Sequence, residues 1–365
     1  MKKLTGFYPV YILTLFLFGC SDEDEPDFAR MFTFEPNKIE CQFCVDFGWR
    51  VEVAGNEVFV ADDANLYVFE DQNGNFSLKQ EITGVGPSGI YSVLFHENFL
   101  YLGVALYDGT GKVIIYQKSA GLWQEVDQLQ SDRSEDNFGS SIDIYENYMV
   151  VGASVPWSSA SSDIQDFGEG RIYIYQRDGA TWQLQAEFRA EMPSTRDYFG
   201  ETVAVYEDYV FAGSQLTPMH VYQRDQQWEL IKVDTITPAK IDHLENKFVI
   251  RNGAGYTPQL LEFELESDGS YELNDTGINF FPAYDLSTYG EMFDLYGSHL
   301  ITWIEGEEAI LLSFLNNQWQ EQSRFQSPDG HFVLFAGLEI TDSHIYLAGR
   351  DNFESDFAYL YKVTY

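Results

Sequence analysis

Basic residues are scarce. Lys and Arg together number 21 against 58 Asp and Glu, so the 365-residue chain carries a net charge of −37. Nucleic-acid binding rests on Lys and Arg that displace counterions from phosphates, and this deficit excludes that class of partner. It equally excludes adhesion to anionic lipid through a basic patch. What remains is a solvated acidic surface that favours cations or cationic partners. Helical periodicity is missing too: beyond the N-terminus no long window repeats its apolar residues at three- and four-residue steps. Cysteine occurs three times, at 20, 41 and 44. No G-x-S-x-G nucleophile elbow is present, and none of the six histidines stands in an H-E-x-x-H pair. Residues 84–89, GVGPSG, satisfy G-x-G-x-x-G. A dinucleotide site needs a helix after that motif to receive the pyrophosphate, whereas the following run, Ile90 to Phe95, reads as a strand.

What the chain does have is aromatic residues, 16% of the total, in a pattern of short strands. The stretch 137–188 shows the unit. One strand begins at Phe138-Gly139 and turns at Glu146-Asn147, and a second ends at Gly152. A third covers 171–176 and turns at Asp178-Gly179, and a fourth starts at Trp182. This meander recurs. Aligned on Gly152, the equivalent positions are Ala61, Gly103, Gly213, Arg251, Trp303 and Gly349, a spacing of about 40–60 residues of the kind that repeat architectures show. Seven repeats result. Middle strands such as YMVV and IYIY are apolar on both faces, as blades stacked around an axis require and a half-exposed sandwich strand does not. The fold class is all-β, a seven-bladed β-propeller. Blade 7 has no fourth strand because the chain ends at Tyr365, so the spare segment 28–34 is expected to pair with the Tyr359 strand and close the ring.

The N-terminus reads as an address. Lys2 and Lys3 precede the apolar run 7–18, which is too short to span a bilayer as a mature helix. The sequence LFGC at 17–20 resembles the lipobox of bacterial lipoproteins, which implies cleavage before Cys20 and lipidation of Cys20. A plain secretory signal or an uncleaved anchor are the alternatives. The acidic run 21–25 resembles the surface-export signal of lipoproteins from Bacteroidetes-type bacteria, and it also reads as a solvated tether. The expected organisation is a signal peptide at 1–19, an acidic tether at 20–27 and the propeller at 28–365. The expected location is the cell outer membrane, lipid-anchored and facing outward.

Phe138-Gly139 with residues 150–153, VVGA, and Phe199-Gly200 with 210–213 resemble the FG-GAP repeat, the unit of the seven-bladed propeller of integrin α subunits and of many bacterial surface proteins. The resemblance implies a binding or adhesion module. Such blades often carry a calcium loop of D-x-D-x-D-G type. Asp163, Asp166 and Glu169 are only a loose echo of it, so no cofactor is expected and calcium stays as an open possibility. Asp178-Gly179 is read as a hairpin turn.

Cys41 and Cys44 form C-x-x-C, which outside the cytoplasm points to a local disulfide. If first strands line the axis, the loops between second and third strands and those between blades share one face. That face gathers the candidate ligand-binding residues Trp157, Tyr107, Tyr256, Asp136 and Asp197, a set suited to sugar stacking or to a protein hot spot. Trp157 folded onto its own loop, and the two aspartates as turn caps, are the structural alternatives. The expected function is non-catalytic binding of a glycan or protein ligand on this loop face. A secreted carbohydrate-active enzyme and a structural subunit of an outer-membrane complex are the alternatives.

Overall fold

The computed structural model describes residues 31–42, 47–62, 64–85, 89–104, 111–133, 137–154, 169–179, 181–192, 197–252, 259–279, 293–304, 308–316, 318–326, 334–350 and 357–365. These residues form 29 strands in seven antiparallel sheets, six of four strands and one of five. The expected seven-bladed β-propeller is what the chain adopts. Within each four-stranded blade the strands run in chain order from inside to outside. The second strands Glu57–Ala61, Tyr148–Ala153 and Tyr209–Gly213 are buried along their whole length. Their apolar residues face a neighbouring blade on either side, which is why they lack polar alternation.

Blade contact depends on two glycines. At the junction of blades 3 and 4, a Cβ on Gly152 would collide with the carbonyl oxygen of Gly200; Gly103 stands in the same way against the carbonyl of Gly139 between blades 2 and 3. Gly139 and Gly200 themselves have φ of 94° and 87°, a backbone conformation that side chains rarely adopt. Each carbonyl so approached also accepts a hydroxyl from the preceding blade, Ser92 Oγ to Gly139 O at 3.1 Å and Ser141 Oγ to Gly200 O at 2.7 Å. The phenylalanine before each of these glycines, Phe138 or Phe199, is fully buried. Phe199 packs with Tyr148, Val150 and Ile172 of blade 3 and with Val210 and Tyr222 of its own blade. Burying each such ring stabilises the stack by about 1.5–3 kcal/mol.

The ring closes with its two ends, but not in the register the sequence suggests. The strand that pairs with the last strand, Phe357–Thr364, is Lys38–Gln42, and the expected segment lies one strand further out as Met31–Glu35. Blade 7 therefore has five strands. The displacement has an aromatic cause: Phe32 reaches across to blade 1, 5.1 Å from Tyr67, 5.6 Å from Phe69 and 5.9 Å from Phe47. The outer strand of blade 5 is Asn274–Asn279, which leaves Tyr271 before it. Tyr271 instead donates its hydroxyl to Asp234 at 3.0 Å.

A buried ion pair clasps blade 1 to blade 7. Asp71 accepts from Lys362 Nζ at 2.5 Å, from Tyr346 Oη at 3.0 Å and from Gly74 N at 2.7 Å. Burial alone would raise the Asp71 pKa, but these partners outweigh it and hold the carboxyl below the ordinary carboxylate range. The stabilisation is therefore complete above the unfolded value of about 4 and is lost as pH falls through the depressed folded value. Asp71→Asn is expected to cost about 3–5 kcal/mol at pH 7, since it strands Lys362, and to flatten the acid limb of a denaturation series. Gly152→Ala is expected to cost more than 2 kcal/mol, whereas Gly179→Ala, whose Cβ would meet nothing within 4 Å, costs about 1 kcal/mol through its φ alone. Urea midpoints of the two variants separate these outcomes.

Candidate functional site

The inner strands of the seven blades surround the axis and bring their side chains to a common level. Three residues before the first turn of each blade stand Glu52, Leu94, Asp143, Ala204, Asp242, Asp294 and Glu339, so five of seven positions are carboxylates. Their work is visible at three junctions, where the carboxylate of one blade accepts an N–H from the inner strand of the next: Glu52 from Phe95 at 3.1 Å, Asp143 from Val205 at 2.6 Å and Asp294 from Ile340 at 2.8 Å. An inner strand has no neighbour on its axial side, and these acids satisfy donors that it would leave open. Asp143 also meets His243 Nε2 of blade 5 at 3.1 Å. Burial alone would lower the His243 pKa, but Asp143 and Asp242 outweigh it and raise the pKa.

At the loop-face end of blades 3 to 5 the repeat is modified. Ser140 follows Phe138-Gly139 and accepts the Ser154 N–H at 3.0 Å, which fastens the loop of blade 3. At the same place in blade 4 stands Glu201, whose two oxygens accept from Gln215, the backbone N at 3.1 Å and Nε2 at 3.3 Å. Arg251 of blade 5 acts on it across the junction. Arg251 occupies the position that is glycine in blades 2, 3, 4 and 7. Lys240, paired with Arg251 in register, bridges blades 5 and 6 by donating to Phe293 O at 2.5 Å. Burial pushes the Glu201 carboxyl up to about 7, with Gln215 and Arg251 opposing the rise. The arrangement places a neutralisable acid and a guanidinium beside the loop of residues 214–218, whose tip, Leu216, is 53% exposed. Met192, on the adjoining interblade loop, is 85% exposed.

Of the residues singled out from sequence, Asp197 lies within the described part. It is 3% exposed, and its Oδ1 accepts from Gly170 N at 2.8 Å and Phe199 N at 3.1 Å. Its backbone carbonyl also receives Ser214 Oγ and Thr217 Oγ1. Asp197, read from sequence as a ligand contact or a turn cap, joins blade 3 to blade 4, because a carboxylate between two strand ends is an acceptor for their open N–H groups. Trp157, Tyr107, Tyr256 and Asp136 lie outside the described residues, as do Cys20 and the suggested calcium residues Asp163 and Asp166. Glu169 accepts from Arg189 at 3.0 Å. Cys41 is disulfide-bonded, while Cys44, its expected partner, lies outside the described part. Among the described residues no group of three or more His, Cys, Asp or Glu side chains converges for a metal ion. Glu201 and Arg251 were not singled out from sequence. For Arg251 the signal was present in the repeat alignment, where it stands in a column that is glycine in four of the seven blades; Glu201 has no such signal.

Glu201 has a folded pKa above its unfolded one, so its contribution runs opposite to that of Asp71. Stability from this group is present below about pH 4.5 and is lost as pH rises to 7, by about 3 kcal/mol in full. Glu201→Gln keeps an acceptor for Gln215 and removes the titration. The variant is expected to gain on the wild type progressively between pH 5 and 8 in paired melting curves.

No protein-family model matches this sequence, and no curated protein matches it. Solved structures do. One chain described as the mitotic checkpoint complex aligns over 97% of this chain and 99% of its own length, with a TM-score of 0.60 and 11% identity. The WD40 domain of Pan2 from Neurospora crassa aligns over 90% of this chain and 96% of its own, with a TM-score of 0.56 and 9% identity. BamB from Moraxella catarrhalis aligns over 91% and 100%, with a TM-score of 0.50 and 13% identity. At these identities the likeness is one of fold: this chain is a β-propeller, an architecture suited to a binding scaffold.

Proposed function

We propose that this protein is a non-catalytic binding module, lipid-anchored through Cys20 at the bacterial outer membrane, that holds a protein or glycan ligand on the loop face of its propeller. The observation that carries the reading is the division of labour around each blade. Acids near the axis and between blades, among them Asp71, Asp143, Asp197 and Asp294, are spent on backbone donors and lysines. The loop-face tips at Met192 and Leu216 are exposed and apolar, and methionine is enriched at interfaces relative to the rest of the surface. The chain similar to it in the mitotic checkpoint complex belongs by its description to an assembly, which favours a protein ligand. The Phe-Gly and glycine packing at blades 2 to 4 supports kinship with FG-GAP repeat propellers, whose members are mostly adhesion modules.

Glu201 is the feature that would favour an enzyme instead, since a carboxyl pushed up to about 7 is suited to general acid chemistry. Both its oxygens are taken by Gln215, and it therefore acts as a fastener of the loop.

A melting-temperature screen of residues 21–365 against a polysaccharide panel, calcium and candidate proteins tests the proposal. A ligand at 100 times its dissociation constant adds about 2.7 kcal/mol to the native state and raises the transition by a few degrees. One ligand that shifts wild type and loses its effect with Trp157→Ala supports a glycan site on the loop face. A shift with a protein and insensitivity to every glycan assigns the ligand to the protein class, and turnover of any polysaccharide overturns the non-catalytic reading.

A further inference from the structure

The outer part of blade 4 holds buried donors that its junction with blade 3 leaves without acceptors. Among the described residues five buried side-chain atoms have no hydrogen-bond partner, and three of them, Tyr222 Oη, Arg224 Nε and Trp228 Nε1, belong to blade 4. Tyr222 is 1% and Trp228 6% exposed. Both pack in one cluster with Tyr148, Val150, Ile172 and Ile174 of blade 3. Arg224 stands opposite Trp228 in register, with its guanidinium 6.0 Å from the indole and 4.3 Å from the Tyr148 ring. A buried N–H without an acceptor keeps its full desolvation cost, so three such groups in one place call for a reason.

Elsewhere in the ring the same junction supplies the acceptor, and it is a carboxylate. Between blades 1 and 2, Glu57 Oε2 receives Trp123 Nε1 at 3.3 Å and Lys118 Nζ at 2.8 Å. Lys118 and Trp123 are the counterparts of Arg224 and Trp228, and they face each other in register in the same way. Between blades 5 and 6, Glu262 Oε2 receives Trp319 Nε1 at 2.7 Å. In blade 3 the place of Glu57, first in its second strand, falls to Tyr148, and the place of Glu262 falls to Ile174. Tyr148 Oη accepts from Gln176 Nε2 at 2.8 Å and from Arg224 Nη1, which uses both its lone pairs. Neither residue therefore offers Trp228 an acceptor. A seal differs as well. Gln80, on the outer strand of blade 1, donates to Trp123 O and accepts from Trp123 N, both at 2.8 Å. Its counterpart on the outer strand of blade 3 is Ala186.

We propose that the seam between the outer strands Thr181–Arg189 and Trp228–Val233 binds a single carboxylate carried on a short apolar chain. The carboxylate does for Arg224 and Trp228 what Glu57 does for Lys118 and Trp123. Tyr222, two residues along the same strand from Arg224 and so on the same face, adds a hydroxyl donor. The apolar chain lies against Ala186 and Phe188, which pack on the cluster from blade 3, and against Leu230 of blade 4. Leu230 is 37% exposed and the Arg224 side chain 34%; these two cover the donors and swing aside for entry. The net charge of −37 disfavours a polyanion and limits the ligand to one negative group. Trp228 follows the tight turn at residues 225–227, so the site lies away from the loop face and does not depend on the preceding reading.

Magnetic resonance of the indole N–H groups tests the site, with hexanoate as the probe. In isotope-labelled protein the signal that disappears in Trp228→Phe identifies Trp228 among the seven tryptophans. Hexanoate is expected to move that signal downfield and to saturate, as a new charge-assisted N–H···O bond requires. Hexanol at the same concentration is expected to leave it in place. Ala186→Gln introduces the seal of blade 1 without touching a donor, and it is expected to weaken hexanoate binding by about tenfold or more. A Trp228 signal that hexanoate does not move, as when a trapped water already holds the indole, overturns the site. A response equal to that with hexanol, or equal to that of the remaining indoles, overturns it too. Unchanged affinity in Ala186→Gln places hexanoate elsewhere and has the same consequence.

Discussion

Two backbones can touch only where neither carries a side chain, and the ring is built on that constraint. Gly152 lies against the carbonyl of Gly200 and Gly103 against that of Gly139, each contact sealed by a serine hydroxyl from the earlier blade. Phe138 and Phe199 fill the wedge beside these contacts. Sheets stacked around an axis must converge towards it, and the inner ends are where space is shortest. The phenylalanine-glycine and glycine-alanine pairs of the sequence are thus one device seen from two blades.

Where the glycine is missing the ring must be held by other means. At blade 5 the column carries Arg251, and the seam is spanned by Lys240 reaching Phe293 O. Glu201 and Gln215 tie the loop of the neighbouring blade. Cations are few in this protein, and several of them join neighbouring blades: Lys240 at this seam and Lys362 in the clasp stand beside Lys118 on Glu57 and Arg177 on Glu97. An ion pair at ring closure also makes chemical sense, because its partners are 291 residues apart and nothing local brings them together.

The acidity of the chain divides into two populations. One set of carboxylates is internal and structural: it caps the open donors of inner strands and strand ends, as Glu52, Asp143, Asp197 and Asp294 do. A second set is buried against lysines, as Glu57 and Asp71 are, and others such as Glu97 lie at the surface. A count of acids alone cannot separate the two. This is why Asp197, conspicuous before its phenylalanine-glycine strand, reads from sequence both as a ligand contact and as a turn cap.

The number of blades, the strand boundaries around Phe138 to Phe188 and the double-sided burial of the second strands were determined by local sequence, because period, turn residues and apolar patterning are properties of neighbouring positions. The register of closure was not legible. Segments 31–35 and 38–42 are both short and strand-like, and only contact of Phe32 with Tyr67 and Phe69 decided which lay outermost. The glutamate-arginine site at blades 4 and 5 was half legible, as a broken glycine column. Its chemistry came from burial, which raises Glu201 to about 7 and exists only once the blades have stacked.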